Sequence, residues 1–183
     1  MRTLIISLML TSCVFGYNYK NVLINAQISI FPRILLLDKG VEKKLIDSKI
    51  VFTIVYEERD YDTALEISKK IDKNYQGKFD KYEYVVNLVE FKNLTKDTKA
   101  TAFYTLNSSK HISKVANIAK EKGIAAFAYD TNNLKQGLLF SLVLEKSTVL
   151  YLNKDSLQSN KINFVDSLYM IVKFIEKEND WII

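Results

Sequence analysis

Asn107, Ser108, Ser109 and His111 lie close together in the sequence and include residue types that hydrolytic chemistry uses. Such chemistry needs a nucleophile, a base and an orienting group within reach of one another. The run falls between an apolar stretch ending at Leu106 and a helical pattern that stops at Gly123. It therefore marks a helix start, where Ser and Asn side chains cap free backbone N–H groups. Capping is the favoured role for Ser108 and Ser109. One His and one Cys leave no ligand set for zinc. No Gly-rich phosphate loop or dinucleotide fingerprint is present. The residues point away from an enzyme, and no cofactor is expected.

Binding is the better-supported chemistry. In open parallel α/β sheets, ligands bind beyond the carboxyl ends of the strands. Three polar segments follow apolar runs and would fall there: Glu57 to Asp60, Asn107 to Lys110, and Tyr129 to Asn133. Asn107, Ser108, Ser109, Asp130, Thr131 and Asn132 are the candidate ligand residues. If their two strands are adjacent and parallel, they meet at one mouth. The helix start behind them suits a small polar or anionic ligand.

The elements that must hold this mouth follow from periodicity. Residues 21 to 40, "NVLINAQISIFPRILLLDKG", fit both a strand and a helix. Length favours a helix, disturbed at Pro32 and stopped by Gly40. "KIVFTIVY" (49 to 56), "YEYVVNLVEF" (82 to 91), "ATAFYTL" (100 to 106) and "IAAFAY" (124 to 129) read as strands. Between them, "YDTALEISKKIDKNY", capped by Asp60 or Asp62, and "SSKHISKVANIAKEKG" read as helices. This alternation predicts an α/β fold: a three-layer sandwich around a mostly parallel sheet. The runs 138 to 145 and 148 to 152 then suggest an antiparallel hairpin turning at Lys146-Ser147. A final amphipathic helix is expected with Phe164, Leu168, Ile171, Val172 and Ile175 on one face.

Composition sets the outer limits. At 183 residues, 48% hydrophobic and 26% charged, the chain fits one packed domain. The net charge of +5 is carried mainly by Lys scattered among acids, with Arg only at positions 2, 33 and 59. Nucleic-acid readers cluster their charge and favour Arg, so that class of partner is not expected. Residues 1–16 read as a secretory signal: Arg2, an apolar run from Leu4 to Leu10, then small and polar residues up to Gly16. Cleavage there leaves a single domain, 17–183, in the periplasm, with no cysteine and hence no disulfide. The competing reading takes "LTSC" as a lipobox, with a lipid on Cys13.

The tail from Tyr129 to Phe174 resembles the closing half of the bacterial periplasmic YfiR-like family. The similar positions are Gly137, the strands 138 to 144 and 149 to 153, a short helix over 155 to 158, and a final helix over 164 to 174. With the first helix and "KIVFTIVY", the resemblance covers most of residues 20 to 176. Two departures stand out: the lack of cysteines in the mature domain, and "FPRILLLDKG" in place of an aromatic-rich end to the first helix. The resemblance implies a periplasmic regulator that binds the sensor part of an inner-membrane diguanylate cyclase or kinase. The alternative is a single-lobe periplasmic solute-binding module. Pairing into a homodimer is compatible with either.

Overall fold

The computed structural model describes residues 19–176. The expected leader, Cys13 and the terminal Trp181-Ile182-Ile183 lie outside the described residues. Helix α1 (Asn21–Leu35) opens the fold; it buries Ile24, Ile28, Phe31, Ile34 and Leu35 along one stripe and runs through Pro32. It ends ahead of Gly40, because its last turn tightens and the Asp38 carboxylate accepts from Gly40 N–H and pairs with Lys44 at 2.5 Å.

Strand β1 (Ile50–Tyr56) is buried throughout. Helix α2 (Tyr61–Tyr75) follows and ends at Gln76 in the left-handed conformation. A short strand β2 (Lys78–Phe79), which the sequence pattern does not signal, pairs antiparallel with β3 (Tyr82–Glu90). Then come β4 (Ala102–Thr105), α3 (Ile112–Lys122) and β5 (Ala125–Ala128). Gly123 closes α3 in the left-handed region, as its place in the sequence suggests.

The segment from Tyr129 to Leu139 solves a topological problem. Strands β5 and β6 (Phe140–Leu144) are parallel, so the chain must cross back over the sheet between them. It does so through a single 3₁₀ segment, Thr131–Gln136. Gly137 ends that crossover at φ +99°, and a β-carbon there would stand 3.1 Å from Ala116 Cβ. Only glycine meets both conditions without displacing α3.

Strand β7 (Thr148–Asn153) returns antiparallel to β6, giving the expected hairpin, and α4 (Lys154–Asn160) follows as a short helix. The final helix is a correction. Only Asp166–Tyr169 is helical (α5), and Val172–Ile175 forms an edge strand, β8, parallel to β7. The completed sheet has the order β2-β3-β1-β4-β5-β6-β7-β8.

Alternate strand residues serve opposite faces. Phe52, Ile54, Tyr104 and Phe127 pack under α1 and α2, whereas Val55, Phe103, Ala126 and Ala128 pack with α3. The expected α/β fold with a mostly parallel sheet between helical layers is therefore observed. Among the described residues no helix is long and apolar enough to cross a membrane.

Candidate functional site

β1 pairs in parallel with both β3 and β4, so the chain winds one way from β1 and then the other. Such a reversal opens a crevice at the carboxyl ends of the two middle strands. In this molecule the chain fills that crevice itself. Tyr19 lies across it: its hydroxyl donates to Asp60 Oδ2 at 3.0 Å and accepts from Asn107 N–H at 3.1 Å. Its ring meets Tyr129 edge-on, 4.7 Å between centroids. Tyr129 Oη accepts from Lys20 N–H at 2.7 Å, and its carbonyl accepts from Gln27 Nε2 at 2.8 Å. Gln27 Oε1 in turn accepts from Tyr104 Oη at 2.5 Å.

Burial dominates the electrostatics here. It pushes the Asp60 carboxyl above the ordinary aspartate range, against the lowering effect of the Tyr19 hydrogen bond. It also pushes the fully buried Tyr104 phenol well above its usual value. In both, burial disfavours the charged form. Asp60 stands at the start of α2, but its side chain makes no capping bond there, contrary to expectation; the carboxylate faces Tyr19 instead.

The candidate ligand residues divide. β4 and β5 are adjacent and parallel, so both junctions open at one edge. Asn107 is tied across them, its Oδ1 accepting from Asn133 Nδ2 at 3.0 Å. Asp130 accepts from Asn132 N–H at 2.8 Å, which turns the crossover. Ser108 is buried and committed elsewhere: its Oγ donates to Glu57 and accepts from Lys110 and His111 N–H. These bonds shape the turn ahead of α3, whose N-cap is His111 with no side-chain cap, so the capping expected of Ser108 is not observed. Ser109 and Asn132 have exposed positions. The His111 ring stacks on Phe91, 5.8 Å between centroids. Among the described residues no group of acids, His or Cys could hold a metal.

Asn107, Asp130 and Thr131 do share one open groove of about 510 Å³ with Lys20 and Tyr129. Its apolar floor is Val22, Leu23 and the end of β6, Leu142 to Leu144. Sequence reasoning missed Tyr19, Gln27 and Tyr104; it set Tyr129 and Asn133 in the strand-end segment but not among the candidate ligand residues. One signal was available: Gln27 lies on the apolar stripe of α1 between Ile24 and Ile28, and a buried amide there requires partners.

No family model matches the sequence, and no curated protein matches it. Solved structures do superpose on it. A conserved domain protein from Vibrio cholerae O1 biovar El Tor superposes with a TM-score of 0.58 at 14% identity, over 82% of this chain and 59% of that one. The ABC domain from Streptococcus pneumonia, in complex with L-Trp, superposes at 0.47 and 12% identity, over 77% and 60%. The chain thus spans less than two thirds of either neighbour. The Vibrio likeness shows the α/β fold.

Proposed function

We propose that this chain is a non-catalytic regulator of the cell envelope that acts by binding a protein partner, the sensor region of a membrane-anchored cyclase or kinase. The observation that supports this reading is the occupied crevice. The place where the fold would hold a substrate is filled by Tyr19 and Tyr129, and the polar groups around it bond to one another. Ser108, three residues before His111, is spent on Glu57 and two backbone donors. The expected leader and the YfiR-like layout point to the same role. The test is co-purification of full-length protein with detergent-solubilised membranes from its own cells. A membrane cyclase or kinase retained at stoichiometric level supports the reading; its absence from repeated captures overturns it.

The open groove between α1 and β6 supports a second reading, a single-lobe solute-binding module. Its volume of about 510 Å³ falls within the range of small-ligand sites. A small molecule retained through purification and seen by native mass spectrometry, with no membrane partner, would select this reading over the first.

A further inference from the structure

The seam between α3 and α4 lies away from the strand-end crevice and has a different character. Two hollows, of about 700 and 750 Å³, run along it and share Asn117, Lys120, Ser159 and Asn160 as walls. They form one continuous trough. Lys122 and Lys161 line the lower hollow with Lys120, and none of these three lysines has an ion pair among the described residues. Two nearby acids are already engaged: Glu121 by Lys96 at 2.8 Å, and Glu176 by Lys154 at 2.5 Å. Lys44, also on the wall, is neutralised by Asp38. Asp155 and Lys135 border the upper hollow and have partners of their own. The lower trough is left with three lysines that no acidic side chain among the described residues pairs.

The lining narrows the occupant further. No aromatic side chain lines either hollow, so there is no platform on which a base could stack. Apolar contributions are limited to Ala116, Leu134 and Ile175, too few to seat the apolar face of a helix. What remains is an exposed amide and hydroxyls (Asn117, Ser113 and Ser159) beside lysines. These suit a polypeptide backbone with carboxylates. At about 1.5 Å per helical residue, α3 from Ser113 to Lys122 measures about 14 Å, the length of about four extended residues.

We propose that this seam docks an extended acidic segment of the protein partner, its carboxylates on Lys120, Lys122 and Lys161. The proposal rests on the regulatory reading and names the chemistry of its partner. Each lysine also sits near the C-terminal end of its own helix, which favours a cation there. Their convergence on one trough is what makes them a site.

The test uses the full chain and a fluorescein-labelled hexapeptide of alternating Glu and Asp, read by fluorescence anisotropy at low salt. Binding is expected, falling as salt rises, and lost by about ten-fold or more in Lys120→Glu with Lys161→Glu. Lys146→Glu, the same charge change made singly on the exposed β6–β7 turn, should leave it unchanged within about two-fold. Lys120→Arg should retain it. Equal loss in the turn variant, or no binding by the wild type, overturns the proposal. So does stronger competition by a six-nucleotide single strand than by unlabelled acidic peptide, or competition by an uncharged Gln/Asn version of the peptide as strong as that of the acidic one. A circular dichroism melt of the reversal variant that matches the wild type establishes that the variant is folded. If the membrane partner is captured equally well by that variant, the trough fails while the regulatory reading stands. If wild-type protein captures no partner yet binds the peptide through these lysines, the regulatory reading fails alone.

Discussion

The sheet face under α1 and α2 is filled by rings, whereas the face under α3 is filled largely by methyl groups. On the first, Phe31 stacks on Phe127 at 4.6 Å, Phe127 on Phe140 at 5.6 Å, and Phe140 meets Phe164 edge-on at 5.3 Å. On the second, Ala116, Ala119, Ala126 and Ala128 meet across the helix–sheet contact. Strand β5 supplies both from adjacent positions, Ala126 to one face and Phe127 to the other. Rings bury large areas and tie distant elements together. Small side chains let α3 and the Gly137 crossover lie close to the sheet. The molecule thus places its most area-rich packing on one side and a thin, polar-edged layer on the other. Stability and partner binding can then be altered separately.

The largest break in this contrast should come from Phe127→Ala, which removes the middle ring of the stack. It should cost about 3–5 kcal/mol, measured by urea unfolding. A loss below about 1 kcal/mol would mean that the ring face is not the stronger one. Next is Gln27→Leu, which leaves the Tyr104 hydroxyl and the Tyr129 carbonyl without their partner. Unsatisfied buried groups cost about 1–3 kcal/mol each. Tyr104→Phe combined with it should recover part of the loss, and failure to recover would deny that the two residues form one network.

Gly137→Ala probes the thin face. Positive φ and the 3.1 Å approach to Ala116 should together cost about 1–2 kcal/mol. A neutral result would show that α3 is not held close. The smallest expected effect is a slope. Asp60 has a raised folded-state pKa, so the native state holds its proton longer than the unfolded chain. Its contribution is most favourable at low pH and is lost as pH rises from about 4 through the folded value. Asp60→Asn should remove that decline, so that its melting temperature gains on the wild type as pH rises through this window. A difference that does not change with pH would show that Asp60 titrates as it does in the unfolded chain.

Periodicity made the sheet readable because its strands are short apolar runs separated by helical stripes. It failed at Phe164, Leu168, Ile171, Val172 and Ile175, whose spacing fits a helix as well as the observed helix–strand pair. The open edge of β7 decides the matter: Leu150 to Asn153 offer backbone partners that an isolated pattern does not reveal. Ile171, just ahead of the strand, and Phe174 within it stay exposed at 70% and 44%, which a core-facing helix would not allow. The candidate site was readable at the level of strand ends. Its closure was not, because Tyr19 and Tyr129 are remote in sequence and meet only after the sheet forms. Asn107 lines the groove, while its bond to Asn133 depends on the unforeseen 3₁₀ crossover.

The seating of α1 has a kinetic consequence. Gln27 finds its acceptor 102 residues later, and Lys20 its acceptor 109 residues later. Phe31 likewise has to wait for Phe127. Contacts that close loops this long form late and slow folding. As the chain is made from its amino end, the stripe of Ile24, Ile28, Phe31, Ile34 and Leu35 has no complete surface to cover it until β5 is available. For that interval α1 is the segment most exposed to aggregation and most in need of a chaperone.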